Sequence, residues 1–213
     1  MVDDTPIIIT STNRFGIDIE DADSTPADPF ALLGMWLPDN TDDLRPLMTL
    51  STHGPDGYPD SRHLLLSAFD GESLHFHTDA RTRKAAELEA DGRVSLAIVW
   101  VVEGRQLTVA GDAVRVPATE AALAYAKRSR YLQLLAWLNT AEMAQLTRDE
   151  RVAAWNRWSD EHPADPLETP ATWVGYRVVP HRLTFWRGDA DGPSNRVEYT
   201  RTGDGWDVAR LPG

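Results

Sequence analysis

Residues 58–88 read YPDSRHLLLSAFDGESLHFHTDARTRKAAEL, and this stretch predicts a β-hairpin followed by a helix. The two strands are predicted at 60–67 and 73–78, between residues typical of turns. Asp70-Gly71 supplies the positive φ values of a tight hairpin turn, so the chain is expected to reverse close to this pair. A helix is predicted to open near Arg81 and to end at Ala90, where Asp-Gly follows.

The hairpin carries a cluster of cationic residues. Counting outward from the turn places Arg62 beside Thr78 and Asp79, and Arg83 and Lys84 follow near the start of the predicted helix. Unpaired N–H groups and the helix dipole also favour an anion at that start. Guanidinium and ammonium groups bind phosphate through charge-assisted hydrogen bonds, so the cluster predicts a phosphate site. The alternative is that these cations only solubilise a surface hairpin.

The rest of the chain predicts a mainly β protein with flanking helices. Successive strands joined by short turns favour antiparallel pairing in a closed or nearly closed barrel over a parallel sheet. The apolar run 94–102 is expected to be buried on both faces, and Gly111 to mark a β-bulge. Further strands are predicted at 47–52, 105–116, 173–179, 183–187, 197–201 and 206–211.

Three helical segments lie outside the hairpin region. Asp28 is expected to cap a short helix, and residues 117–138 are predicted to be helical. The pattern Thr147-x-x-Glu150 is a capping box for another helix through Trp158. Trp155 and Trp158 are expected to pack on the barrel or on a second subunit. We predict a mobile arm over residues 1–26 and a single domain over residues 27–213.

Composition narrows the class of function. The 33 acidic and 21 basic residues give a net charge of −12, which opposes non-specific binding to nucleic acid or anionic membranes. No apolar run is long enough to span a bilayer, and the N-terminus lacks the pattern of a secretory signal, so a cytoplasmic protein is expected. The chain has no cysteine, which excludes disulfides, thiolate nucleophiles and Cys-ligated metals.

His75 and His77 lie on one face of the second hairpin strand, as in some metal sites. A third ligand of suitable type is not evident nearby in the sequence, so we predict no metal and an ordinary strand role for this pair.

Several short motifs follow one another along the chain, and they carry a resemblance to a known family that extends from about Asp28 to the C-terminus. They are Arg62-His63-Leu64-Leu65-Leu66, Phe76-His77-Thr78, Thr82-Arg83-Lys84, Gly175-Tyr176-Arg177, Phe185-Trp186-x-Gly188, Asn195-Arg196-x-x-Tyr199, Gly205-Trp206 and Arg210-Leu211-Pro212. In these motifs the chain resembles the FMN-binding core of the pyridoxamine 5′-phosphate oxidase family. The resemblance implies an antiparallel split β-barrel, FMN as cofactor, and a homodimer with FMN at the subunit interface.

The resemblance also implies a set of cofactor contacts, but it assigns no catalytic residue. Three cations would hold the FMN phosphate, Gln106 would reach the ring, His77 would replace a Tyr that lines the flavin, and Arg196 would come from the partner subunit. The full predicted cofactor set is Arg62, Ser67, His77, Thr78, Arg83, Lys84, Gln106, Trp186 and Arg196.

On the substrate side the chain departs from the family pattern, in which several residues bind a vitamin B6 phosphate. The replacements are Ser67 for a Lys, Ala124 for a Tyr, Leu132 for a Ser, and Gly192 and Ser194 for the two ends of an Arg-x-His motif. Arg128 is retained, and with Ser194 it forms the predicted substrate contacts. Each lost charge-assisted contact costs about 1.5–3 kcal/mol, so that substrate should bind weakly.

The prediction is therefore an FMN-dependent oxidoreductase that moves a hydride between a small cyclic or heteroaromatic substrate and flavin N5. Dioxygen or a nicotinamide would close the cycle. The alternatives are a true pyridoxamine or pyridoxine phosphate oxidase, a deazaflavin-dependent reductase, and a non-catalytic flavin-binding protein.

Overall fold

The computed structural model describes residues 25–37 and 46–213, so most of the arm predicted over residues 1–26 lies outside the described residues. The helices are α1 (Pro29–Trp36), α2 (Arg83–Ala90), α3 (Ala118–Ala126), α4 (Arg130–Leu138), α5 (Ala141–Ala144) and α6 (Arg148–Glu161). The strands are β1 (Leu47–His53), β2 (Pro59–Leu65), β3 (Ala68–Phe69), β4 (Leu74–Asp79), β5 (Arg93–Trp100), β6 (Arg105–Arg115), β7 (Trp173–Arg187), β8 (Asn195–Thr202) and β9 (Gly205–Pro212).

All the strands of the described residues belong to one antiparallel sheet that curls into a split barrel. Its order is β2-β1-β5-β6-β7-β4-β3, with β8 paired to β7 and β9 paired to β8. The first and last strands of this path are separated only by Leu66 and Ser67. Leu66 N donates to Pro46 O at 3.0 Å and Ser67 N donates to His75 O at 2.8 Å. Since one short link bonds to both ends of the path, the sheet must curl, which confirms the predicted barrel.

The pairing predicted for the hairpin is wrong over most of its length. The strand β2 pairs with β1, placing Arg62 opposite Leu50 and not beside Thr78. Only the two residues of β3 pair with β4, which otherwise pairs with β7. The physical reason is that Leu66-Ser67 carries the chain from one sheet edge to the other, so the two strands diverge after a short turn.

The turn and the bulge form where the sequence predicts them. Gly71 has a φ of 97°, and Asp70 Oδ1 accepts hydrogen bonds from the N–H groups of Glu72 and Ser73. Between β6 and β7 the register shifts at Ala110/Gly111. A Cβ on Gly111 would collide with the backbone of the facing strand, which explains why this position is glycine.

The barrel core is closed at one end by α1. Asp28 Oδ1 caps this helix by accepting from Phe30 N at 2.9 Å, as predicted. Leu33 and Trp36 are buried with the inward residues of the barrel strands, and the Trp36 ring meets the Phe185 ring edge to face at 5.0 Å. Tyr199 donates its hydroxyl proton to Pro26 O at 2.8 Å, which fixes the entry to α1 against β8.

The strand β5 differs from the prediction because it is buried on one face only. Its burial alternates, with Val94, Leu96 and Ile98 inside and Ser95 exposed. The exposed Val99 belongs to the outer face of the barrel wall.

The predicted helix over 117–138 is two helices, separated at 127–129. The Ser129 side chain caps α4 by accepting from Leu132 N, so the local polar sequence starts a new helix. The capping box at Thr147 opens α6 as predicted. The Trp158 ring lies 5.6 Å from the Trp137 ring of α4. Trp155 and Trp158 both pack against the hydrophobic cluster that contains Trp173, the first residue of β7. In the described residues no helix is long and apolar enough to cross a membrane.

Candidate flavin and substrate site

A pocket of about 220 Å³ lies where the end of β4, the start of α2, the helix α4 and the start of β7 meet. It gathers three of the predicted cofactor residues, His77, Thr78 and Lys84, with the predicted substrate residue Arg128. The described lining residues are His77, Thr78, Asp79, Thr82, Lys84, Arg128, Leu132, Leu135, Ala136, Asn139, Thr172 and Trp173.

The polar end of this pocket is built by the β4–α2 junction. Thr82, the N-cap of α2, donates its hydroxyl proton to Asp79 O at 2.7 Å instead of capping the helix. The first N–H groups of α2 therefore keep the capacity to bind an anion. Lys84 Nζ donates to Thr78 Oγ1 at 3.2 Å, so an ammonium, a hydroxyl and a helix start converge here.

Lys84 carries a charge that its surroundings leave incompletely balanced. Burial lowers the pKa of Lys84, and the positive charge of Arg62 lowers it further. Among the described residues Lys84 forms no salt bridge with a carboxylate. A half-buried cation of this kind is stabilised by a phosphate dianion.

Arg62 and Arg83 lie beside this pocket but do not line it. Arg62 donates to Thr52 Oγ1 at 2.5 Å, to Asp60 Oδ2 at 3.0 Å and to Glu87 Oε2 at 2.6 Å. Arg83 Nε lies 2.9 Å from Glu87 Oε1 and 3.3 Å from Asp60 Oδ2. The two guanidinium groups thus meet through shared carboxylates. The packing of α2 against the paired strands β1 and β2 brings them together, and not the predicted hairpin.

The buried carboxylate of Glu87 is a functional candidate that the sequence reasoning missed. Its side chain is 3% exposed. Burial acts to raise the pKa of Glu87, but hydrogen bonds from Thr52, Arg62 and Arg83 lower it below its usual value. The spacing of four residues between Arg83 and Glu87 in one helix was the available signal.

The other end of the pocket is aromatic and apolar. The Arg128 guanidinium lies over the Trp173 ring at 4.7 Å. The His77 ring is parallel to the Trp173 ring at a centroid distance of 5.4 Å. Trp173 Nε1 donates to Ala121 O at 3.0 Å, which fixes the indole in place. Trp173 was predicted only as the start of a strand, and its place beside Arg128 depends on the packing of α3 and α4 against β7.

Three of the remaining predicted cofactor residues form a second group, toward the other end of β7. Gln106 on β6 pairs with Trp186 on β7, and Trp186 pairs with Arg196 on β8. Ser194 precedes β8 by one residue, near this second group. Ser67 joins neither group, since it lies in the link between β2 and β3.

The strand β7 sets the separation of the two groups. Its residue Val174 pairs with Thr78, and Trp186 lies 186 − 174 = 12 residues further on. At about 3.3 Å per residue this corresponds to up to about 40 Å. This length is an upper limit, because β7 is bulged opposite Gly111 and follows the curled sheet. The two groups therefore lie toward opposite ends of β7.

Both groups have the chemistry that FMN needs. Lys84, Thr78 and the start of α2 match a phosphate, while Trp186 and Gln106 offer a ring face and an amide that can donate to and accept from a flavin edge. In the described residues no group of three or more His, Asp or Glu side chains is arranged to hold a metal ion. His75 instead contacts Asp70 and Glu120.

Comparison with known proteins shows the family to which this chain belongs. Residues 42–158 match the family model described as pyridoxamine 5′-phosphate oxidase. Residues 173–212 match the model of the pyridoxine 5′-phosphate oxidase C-terminal dimerisation region, which supports the predicted homodimer.

The curated relatives include enzymes named pyridoxine/pyridoxamine 5′-phosphate oxidase. The one from Nocardioides sp. is 36% identical and covers 93% of this chain and 92% of its own length. The one from Gluconobacter oxydans is 36% identical, over 87% of this chain and 94% of its own length.

Solved structures share the fold. PhzG from Burkholderia lata 383, in complex with tetrahydrophenazine-1-carboxylic acid, superimposes with a TM-score of 0.80 at 26% identity, covering 94% of this chain and 100% of PhzG. A pyridoxamine 5′-phosphate oxidase-related, FMN-binding protein from Nostoc punctiforme has a TM-score of 0.65 at 18% identity, covering 78% of this chain and 88% of its own. With two family models spanning most of the sequence and relatives matched over nearly their whole length, this chain belongs to the pyridoxamine 5′-phosphate oxidase family.

Proposed function

We propose that this protein is an FMN-dependent oxidoreductase that oxidises a small cyclic substrate carrying one anionic group. The observation that carries the proposal is the division of the pocket into two ends. One end has Lys84 and Thr78 at a helix start, and the other has Arg128 over Trp173 with Leu132 nearby. The first end suits the FMN phosphate, and the second suits a ring with a single carboxylate.

The substrate end favours one anionic contact over a full phosphate site. Leu132, Leu135 and Ala136 contribute apolar side chains to the lining, and Asn139 and Thr172 contribute neutral polar ones. Arg128 is the cation on that side. A carboxylate can form a bidentate pair with one guanidinium, whereas a phosphate dianion left with unpaired oxygens loses about 1.5–3 kcal/mol for each missing charge-assisted contact.

The homodimer completes the flavin site in this proposal. One subunit supplies the phosphate end near Lys84, and the other supplies Gln106, Trp186 and Arg196. The separation of the two groups along β7 supports this arrangement, as does the match to a dimerisation region.

The protein's own residues position the substrate and shape its surroundings. FMN supplies the chemistry, because N5 of its ring accepts a hydride. Arg128 orients the substrate carboxylate while the parallel His77 and Trp173 rings form a flat wall. The apolar side chains of α4 exclude water from the substrate ring, which strengthens the ion pair with Arg128.

The substrate class also draws support from one relative. The PhzG structure contains tetrahydrophenazine-1-carboxylic acid, which is a cyclic compound with one carboxylate. That chemistry fits a pocket with one cation beside an aromatic wall.

A second candidate is oxidation of pyridoxine or pyridoxamine 5′-phosphate. It is favoured by the curated relatives of that name, two of which are 36% identical to this chain. The retained Arg128 gives it one phosphate contact in the pocket.

The test is a comparison of substrates with the purified protein. The visible spectrum and the released chromophore identify the cofactor, and they separate FMN from a deazaflavin. Flavin reduction is then followed without oxygen, with pyridoxine 5′-phosphate, pyridoxamine 5′-phosphate and a series of partly reduced aromatic carboxylic acids. Fast reduction by a carboxylic acid, lost in Arg128→Leu, supports the proposal. Efficient reduction by the vitamin phosphates alone establishes the second candidate. If a chemical reductant reduces the bound FMN but none of the tested substrates does, the protein is a flavin carrier.

A further inference from the structure

Glu87 occupies a position in α2 that connects Arg62 and Arg83. These two cations lie beside the pocket that holds Lys84, and the family resemblance assigns all three to the FMN phosphate. The helix buries the Glu87 side chain against β1 and β2, where it is 3% exposed. Burying a carboxylate destabilises the folded state by several kcal/mol unless cations and hydrogen bonds compensate for the lost hydration. The groups that bond to Glu87 therefore indicate its role.

Both oxygens of Glu87 accept hydrogen bonds. Oε2 accepts from Thr52 Oγ1 at 2.6 Å and from Arg62 Nη2 at 2.6 Å. Oε1 accepts from Arg83 Nε at 2.9 Å. Thr52 is itself 2% exposed and also accepts from Arg62 Nη1 at 2.5 Å. One carboxylate thus fixes a strand arginine and a helix arginine in a single orientation.

The neighbouring carboxylate Asp60 contacts the same two arginines but is a weaker anchor. It lies 3.0 Å from Arg62 Nη2 and 3.3 Å from Arg83 Nε, and its side chain is 32% exposed. Solvent screens such a pair more strongly than a buried one. Glu87 is therefore the main structural link between the arginines.

We propose that Glu87 is a positioning residue of the flavin phosphate site, which holds Arg62 and Arg83 side by side and offsets their mutual repulsion before the phosphate binds. This inference rests on the proposed function. Glu87 does not touch the phosphate, because an ionised carboxylate has no proton to donate and two anions repel each other. It acts through the two guanidinium groups. Lys84, which directly follows Arg83 in α2, completes the set of three cations.

The variant Glu87→Gln tests whether the carboxylate orients Arg62 and Arg83, because Gln has nearly the same size and shape as Glu. An amide has one acceptor oxygen, so its NH₂ group must face either Arg62 or Arg83, and two donors then oppose each other. One guanidinium has to move. A competing effect is that a neutral residue removes negative charge near the phosphate, which by itself would tighten binding, so the sign of the change decides between positioning and simple repulsion.

Riboflavin provides the selective readout, because it has the ring and the ribityl chain of FMN but no phosphate. The experiment measures the Kd of FMN and of riboflavin with the apoprotein, by quenching of flavin fluorescence. In Glu87→Gln we expect the Kd of FMN to rise roughly tenfold to a hundredfold and the Kd of riboflavin to change less than about twofold. The matched control is Glu89→Gln on the same helix, where Glu89 is 55% exposed, and it should change neither Kd.

The outcomes separate this inference from the proposed function. Unchanged or tighter FMN binding by a folded Glu87→Gln protein overturns the positioning role, and so does an equal loss for both flavins. If the parent binds neither flavin, the proposed function fails together with the inference. Should Glu87→Gln not fold, Glu87→Asp keeps both acceptor oxygens on a shorter side chain. It should then show a smaller loss that is again selective for FMN, and equal losses would overturn the role.

Discussion

Replacing Lys84 by Met should weaken FMN binding without destabilising the apoprotein. The ammonium lies half-buried at the start of α2, with Thr78 Oγ1 at 3.2 Å as its hydrogen-bond partner. A charge-assisted hydrogen bond to a phosphate contributes about 1.5–3 kcal/mol, which corresponds to a rise in the Kd of about 10- to 150-fold. Because solvent still reaches Lys84, we expect the lower part of this range.

The stability of the apoprotein should move in the opposite direction. Burial and the charge of Arg62 hold the pKa of Lys84 below its ordinary value of 10.5. The folded state therefore binds this proton less tightly than the unfolded state, and the charged lysine destabilises the fold at every pH below its folded pKa. A neutral Met removes this penalty at pH 7, so the midpoint of thermal unfolding should stay constant or rise.

The assay combines flavin titration with thermal unfolding of the apoprotein at pH 7, and its control is Lys127→Met. Lys127 is the other lysine of the sequence, and its side chain is exposed. The control should change neither the Kd nor the melting temperature. Unchanged FMN affinity in Lys84→Met, together with a lower melting temperature, would refute the assignment and make Lys84 a structural residue.

Three further changes test features that lie outside the pocket. In Gly111→Ala the new Cβ collides with the backbone of β7 at the bulge, so urea titration should show a loss of about 1–3 kcal/mol, unless the register shift at this position disappears. Asp70 has a pKa held below its ordinary value: burial opposes this, and hydrogen bonds from His75, Glu72 and Ser73 outweigh it. Its contribution is present above about pH 4 and is lost as the pH falls, so Asp70→Asn should flatten the acid limb of a stability–pH curve; an unchanged limb would contradict this. Thr147→Ala removes the cap of α6 and should cost about 1 kcal/mol with an unchanged FMN Kd, and altered FMN binding would show that α6 shapes the site.

The joining of Arg62, Arg83 and Lys84 shows where sequence reasoning was right for an incomplete reason. The prediction grouped these cations because they flank one hairpin. In the structure Arg62 and Arg83 meet through Glu87 and the pairing of β2 with β1, and Lys84 lies in the neighbouring pocket. Strand pairing depends on contacts with strands that are distant in sequence. The hairpin is limited to the two residues of β3 that pair with β4, so β2 pairs with β1 instead.

The pocket itself was only half predictable. His77, Thr78 and Lys84 are close in sequence, so their proximity follows from one strand end and one helix start. Arg128 and Trp173 are 45 residues apart, and their stacking requires α3 and α4 to pack on β7. The motif resemblance identified Arg128 in advance, but nothing in the local pattern indicated that an indole would lie beneath it.

The sequence by itself determined the features that depend on a few neighbouring residues. These are the turn at Gly71, the caps at Asp28 and Thr147, the bulge at Gly111 and the stretches that form strands, because φ preferences, capping hydrogen bonds and local periodicity act within a short segment. The tertiary structure alone decided the partner of β2 and the burial of Glu87 between two arginines. It also placed Gln106 and Trp186 toward the end of β7 that is opposite the Lys84 pocket. Each of these depends on contacts between segments distant in sequence, and their free energy is set by burial and by the geometry of the closed sheet.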